Sequence, residues 1–183
     1  PDKEHIDYAY LLYSVNLIKL NKLKEAEKKL LQLIKEFPDS GYLKESFRYL
    51  IFIYLENAEV EKLLNLYKEY NKKFGRDCEI ERNISQIVLK KGISLFNSGK
   101  INESKEFFQA IATRFPESEF APIGYYYLGL IFYQNNQFEK AKSYFEKSLP
   151  SISDKKIIYD IYLKIGDCYL NQGDIENAGK FYD

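Results

Sequence analysis

Methionine and tryptophan are absent from these 183 residues, histidine occurs once and cysteine twice, and the 27 basic side chains are balanced by 27 acidic ones. Each shortage excludes something. A formal net charge of zero supplies no global field to attract phosphate backbones or anionic lipid, so neither nucleic acid nor a membrane surface is an expected partner. The lysine pairs, such as Lys28 with Lys29 and Lys90 with Lys91, recur at no fixed place and do not form the basic code that repeat proteins use on RNA. Cys78 and Cys168 form no paired motif and are read as free, half-buried thiols rather than metal ligands or a redox couple. His5, close to the start of the chain, is read as a plain surface histidine. No run of about 18 apolar residues is present to span a membrane. No glycine-rich phosphate loop occurs either, so no cofactor, metal or catalytic residue is assigned.

What is present is apolar and helical. Hydrophobic residues make up 45% of the chain, aromatic ones 16% and charged ones 30%, a balance that supports a folded core. With only five prolines, and Leu, Ile, Tyr and Phe recurring at three- and four-residue spacings among Lys and Glu, helices are predicted nearly throughout.

Self-comparison shows repetition. The phrase Phe37-Pro38-Asp39-Ser40 returns as Phe115-Pro116-Glu117-Ser118, each closing a helix, because proline lacks an N–H and disfavours helix in the residue before it. Ahead of it recurs a helix end, a tight turn and a new helix start. Asn21, Gly99, Asn136 and Gly173 fall where a left-handed residue is needed. Units begin near residues 7, 44, 85, 122 and 159, spacings of 37, 41, 37 and 37, and such a period predicts a solenoid of helical hairpins. The last unit reads as truncated: the chain stops at Asp183 inside a helical pattern and opens at Pro1 without an initiator methionine, as a fragment would.

These units resemble the tetratricopeptide repeat. The small residue late in the first helix is Ser14, Gly92, Gly129 or Gly166, and the one in the second helix is Ala26, Ser104, Ala141 or Ala178. Large residues follow at Leu30, Phe108, Phe145 and Tyr182. The small places are expected to let two helix backbones approach closely. The second unit departs from the pattern, with Ile51 and Leu63 at the small places and Gly75 where the other units carry proline. An irregular connection, with a change of superhelix curvature, is predicted over residues 74–84.

The resemblance implies an all-α, right-handed α-solenoid forming a single array over residues 1–183. It also implies a non-catalytic scaffold whose first helices line a concave protein-binding groove. At the groove places stand Leu11, Val15, Phe52, Leu89, Ile93, Tyr126, Leu130 and Tyr133, with Tyr126, Tyr133 and Phe52 as the expected anchors. Some co-chaperones of the family clamp a partner's C-terminal carboxylate with Lys, Asn and Arg; here Leu11, Val15, Leu89 and Ile93 stand instead. The expected partner is an apolar or amphipathic protein segment. The lengthened unit with its Phe-Pro-acid-Ser ending is most similar to repeats of bacterial envelope proteins, which favours the periplasm or cell envelope over the cytoplasm. A homo-oligomeric structural component, or a regulatory helical domain of a larger protein, are the alternative readings.

Overall fold

A computed structural model describes residues 5–182. Among them are ten α-helices and no strand: α1 (Ile6–Lys19), α2 (Leu23–Glu36), α3 (Leu43–Glu56), α4 (Val60–Phe74), α5 (Cys78–Asn97), α6 (Ile101–Arg114), α7 (Ala121–Gln134), α8 (Phe138–Ser148), α9 (Lys155–Asn171) and α10 (Ile175–Tyr182). Consecutive helices pair as five hairpins. The chain divides into two compact units between Cys78 and Glu79, the first holding α1–α4 and the second α5–α10.

First and second helices differ in how their residues are spent. A second helix such as α2 shows one apolar stripe, with Ala26, Leu30 and Leu33 buried and lysines and glutamates elsewhere, the pattern of a helix with one face on the core. A first helix is covered on more than one side. In α7, Ala121, Pro122, Gly124, Leu128, Gly129, Ile131 and Phe132 are all buried, and Pro122 sits in the first turn, where its missing N–H costs no intrahelical bond.

Each hairpin closes through the same three-residue turn. Residue N–H groups reach back six positions to close it: Lys22 to Leu17, Lys100 to Leu95, Gln137 to Phe132 and Asp174 to Tyr169 at 2.8–3.0 Å. This is the Schellman arrangement, which satisfies carbonyls left open at a helix end. It needs one left-handed residue, and Asn21, Gly99, Asn136 and Gly173 supply it as expected. The second hairpin uses Ala58 (φ 52°) instead, with Glu59 N–H on the Tyr54 carbonyl at 3.0 Å. Alanine gives no sequence signal for that conformation, which strains a side chain bearing a Cβ.

The small places work differently from the expectation. They receive an aromatic ring rather than a neighbouring backbone. A Cβ added to Gly129 would stand 2.5 Å from the Phe145 ring, one at Gly92 would stand 2.7 Å from Phe108, and one at Gly166 would stand 2.5 Å from Tyr182. The large residue of each second helix is thus a knob in a hole cut by the glycine of its partner helix. In the second hairpin Ile51 and Leu63 are buried side chains at the corresponding places. There the aromatic rings gather at the far end, where Phe47 lies 5.7 Å from Phe74 and Tyr67 stacks 5.9 Å from Tyr70.

The irregular connection is shorter than predicted. Only Gly75–Asp77 lie outside helix, and residues 78–84 are the opening turns of α5, which is why α5 has 20 residues where α1, α2, α3, α6 and α7 have 14. The connector is pinned to the α3–α4 hairpin. Arg48 donates to Asp77 Oδ2 at 2.6 Å, Tyr70 Oη donates to the same atom at 3.2 Å, and the Asp77 N–H reaches Tyr67 Oη at 3.3 Å. Hydrogen bonding to Asp77 raises the Arg48 guanidinium further above its ordinary range.

The Phe-Pro-acid-Ser phrase does more than stop a helix. Ser40 Oγ accepts from the Tyr42 N–H (3.1 Å) and donates to Asp7 Oδ2 (2.5 Å). Ser118 repeats this with the Phe120 N–H (3.2 Å) and with Ser85 Oγ (2.7 Å). Asp7 and Ser85 open the first helices of the first and third repeats, so each serine ties the end of a repeat to its beginning while capping the helix that follows. Asp7 is held below the usual carboxylate range, chiefly by the Ser40 hydroxyl.

Candidate protein-binding surface

The groove residues proposed from sequence fall on first helices, and the two units present them separately. In the first unit Leu11 is buried, Val15 is half-buried and Phe52 is 43% exposed. Tyr8, one turn before Leu11, lies 5.0 Å from the Tyr42 ring. In the second unit Leu89 is buried, whereas Ile93, Tyr126, Leu130 and Tyr133 are all half-buried. Leu11 and Leu89 are therefore corrected from groove residues to packing residues. Both occupy the fifth place of a repeat, which faces inward to the array rather than outward to a partner.

The fate of that fifth place, and of the twelfth two turns later, is clearest in α7. Tyr126 Oη donates to Asp160 Oδ2 at 2.7 Å and Tyr133 Oη to Asp167 Oδ2 at 3.1 Å. Both tyrosines lie on α7 and both aspartates on α9. Seven residues separate the members of each pair of like residues, two helical turns, so the two bonds are parallel rungs between adjacent first helices. Asp167 also accepts from Tyr182 Oη of α10 at 2.8 Å, and the Lys164 ammonium stands 3.7 Å from Asp167 and 4.8 Å from the centre of the Tyr133 ring. Burial, and then the bond to the aspartate, raises the pKa of both Tyr126 and Tyr133. Both hydroxyls are thus protonated donors at neutral pH.

The rings behind these hydroxyls are well supported. Tyr126 packs 6.2 Å from Phe145, Tyr127 stacks 4.9 Å from Phe108 and meets Phe96 edge-on at 5.1 Å, and Tyr133 meets Phe138 edge-on at 5.8 Å. Tyr126 and Tyr133 are thereby braces as well as walls of the surface. The sequence contained a signal for this that composition alone does not reveal: two tyrosines and two aspartates with the same seven-residue spacing, offset by 34 positions.

Tetratricopeptide repeat models match residues 8–40, 87–118, 122–149 and 159–183, more than half the chain. The chain belongs to the tetratricopeptide repeat family. The matches pass over the second repeat, where Ile51 and Leu63 fill the small places. This tetratricopeptide chain is similar along its length to several solved structures. MamA from Desulfovibrio magneticus is 14% identical over 100% of this chain and 92% of its own, with a TM-score of 0.43. The pilF protein of Pseudomonas aeruginosa is 18% identical over 100% and 76%, at 0.39. A tetratricopeptide repeat protein from Parabacteroides merdae is 14% identical over 96% and 77%, at 0.45. No protein with a curated description matches in sequence. Tetratricopeptide arrays are scaffolds for protein–protein interaction and are typically non-catalytic, and no helix among the described residues is long and apolar enough to cross a membrane.

Proposed function

We propose that the second unit captures an apolar or amphipathic helical segment of a partner protein along α5, α7 and α9. The observation that carries this reading is the half-buried row Ile93, Tyr126, Leu130 and Tyr133, whose two tyrosines are locked by their bonds to Asp160 and Asp167. A surface fixed before the partner arrives loses little side-chain freedom on binding, so most of the ordering cost falls on the partner. Aromatic and aliphatic side chains spaced along a rigid wall suit a helix that presents one apolar face. Phe52 and Val15 offer the first unit a smaller contact of the same character. The Phe-Pro-acid-Ser ending of the lengthened repeat supports a setting in a bacterial envelope complex.

The test is affinity capture from the envelope and soluble fractions of the source cell, comparing the chain with Leu130→Asp. Leu130 is chosen because it makes no rung, so its loss leaves both Tyr–Asp bonds in place, and circular dichroism checks that the variant is folded. A carboxylate in the apolar row should weaken capture of a true partner about thirtyfold or more. Equal capture by both proteins would rule out this surface as the working one.

A further inference from the structure

Exposed large apolar side chains are not spread evenly over the described residues. Of twelve, five lie on the first hairpin (α1–α2), six on the last (α9–α10), and Phe52 stands alone between them. Scattered single exposures are ordinary in a folded protein, but clustering at two places calls for an occupant.

Comparison of equivalent positions shows what kind of contact each cluster lacks. Tyr13 on α1 is 51% exposed, yet its counterparts Leu50, Leu128 and Ile165 on α3, α7 and α9 are each at 0%. Ala9, also exposed, corresponds to Ser46, Gly124 and Ile161, all buried. In α7 the covering group is visible: Gly124 faces Ile111 of the preceding second helix, 3.2 Å from where a Cβ would be. At the last hairpin, Leu163 and Leu170 on α9 are 51% and 50% exposed. Their counterparts on α7 are Tyr126 and Tyr133, half-buried against α9, and on α5 they are Leu89 and Phe96, buried and half-buried. Ile175 on α10 is 73% exposed, whereas its counterpart Phe138 is half-buried. The first hairpin thus shows the receiving half of a repeat-to-repeat interface and the last hairpin shows the giving half.

We infer that the occupant of each is a second copy of this chain, stacked head to tail, with α9–α10 of one copy against α1 of the next. The register follows the contact already present within the second unit. As Tyr126 and Tyr133 reach the second and ninth places of the next repeat, Asp160 and Asp167, so Leu163 and Leu170 would meet Tyr8 and Val15 of the neighbouring copy. Leucine in place of tyrosine fits this exchange, because the receiving side is then apolar rather than carboxylate. Tyr13 and the notch formed by Ile6, Ala9 and Tyr10 would receive α10. The interface is heterologous, so it leaves one free giving face and one free receiving face at every stage of growth. It is separate from the partner-binding row and stands whether or not that reading does.

Sedimentation velocity over a range of concentrations tests the inference, using the chain itself, a receiving-face variant (Tyr8→Asp with Tyr13→Asp) and a giving-face variant (Leu163→Asp with Leu170→Asp). The substituted leucines and tyrosines are exposed, and circular dichroism verifies folding. The unmodified chain should gain mass with concentration, and each variant alone should self-associate at least about a hundredfold more weakly. Mixing the two variants should restore a one-to-one dimer, since each keeps the face the other has lost. A chain that stays monomeric at every concentration overturns the proposal. So does an equimolar mixture that fails to pair, because a symmetric contact made by one face alone is blocked in such a mixture.

Discussion

The second hairpin and the fourth solve one packing problem in opposite ways. In α7–α8 the first helix gives up its side chain at Gly129 and the second fills the space with the Phe145 ring, which is fully buried. In α3–α4 the first helix keeps Ile51 and the second keeps Leu63, and aromatic rings move to the end of the hairpin nearest the Gly75–Asp77 connector. A hole filled by one rigid ring fixes the relative position of two helices at a single point. Interlocked aliphatic chains spread the same burial over several contacts, and the pinning of Asp77 by Arg48 and Tyr70 then supplies the local constraint. The difference explains why the small-residue pattern is a sufficient signature of the fold but not a requirement of it.

Alanine at the corresponding position should damage both hairpins for opposite reasons. Ile51→Ala removes buried methyl groups and leaves a cavity, at a cost of about 3 kcal/mol. Gly129→Ala places a Cβ into the Phe145 ring and overfills the site, at a cost of about 2 kcal/mol. Urea denaturation measures both, and the distinction between them sharpens in a second background. Phe145→Leu should relieve much of the Gly129→Ala penalty, because the two residues contend for one space. A penalty unchanged by Phe145→Leu would mean that the ring is not what the glycine accommodates.

Tyrosine hydroxyls extend the contrast to alkaline pH. In the first unit, burial and a bond to Glu27 push Tyr54 up to about 12. In the second, burial raises Tyr126 and Tyr133, with their aspartates adding to it, and Tyr182 is raised to about 12. An unfolded tyrosine ionises near pH 10. With folded values above that, the native state holds more protons than the unfolded one, so this stabilisation is complete below about pH 10 and is lost as pH rises towards 12 and beyond. Thermal melts between pH 8 and pH 12 should show the second unit's dependence reduced by Tyr126→Phe, with Tyr54→Phe affecting the first unit. A Tyr126→Phe variant with the full alkaline loss would remove the rung from the account.

The smallest effect concerns the turns. Ala58 does in the second hairpin what Asn21, Gly99, Asn136 and Gly173 do in the others. Ala58→Gly should relieve left-handed strain of about 1 kcal/mol while adding freedom to the unfolded chain, leaving a net gain of about 0.5 kcal/mol in chemical denaturation. A loss of stability would show that the alanine conformation is unstrained.

Much of this architecture is written in single positions. The glycines at 92, 129 and 166, the turn residues at 21, 99, 136 and 173 and the two Phe-Pro phrases mark helix ends and packing points directly, since few other residues satisfy those geometries. Ala58 left no mark, because alanine favours helix and its turn is recognisable only by alignment with the other four. Leu11 and Leu89 were misjudged for a related reason. Periodicity along one helix tells which side is apolar, but not that the fifth place of a repeat is covered by the first helix of the next. Tyr126 and Tyr133 sit at the same edge, where a side chain is partly wall and partly brace.

Ser40 and Ser118 bond to residues 33 positions earlier in the chain, and this gives the repeat a built-in ruler. Adding or deleting one residue between Asp7 and Ser40, or between Ser85 and Ser118, would carry the hydroxyl away from its mark while the capped helix N-terminus stayed put. Copying errors of that kind are therefore felt at once in the first and third repeats. The second repeat has Gly75 where the phrase would stand, and there the longest spacing in the chain has accumulated, as extra turns at the start of α5. Length has drifted where nothing measures it.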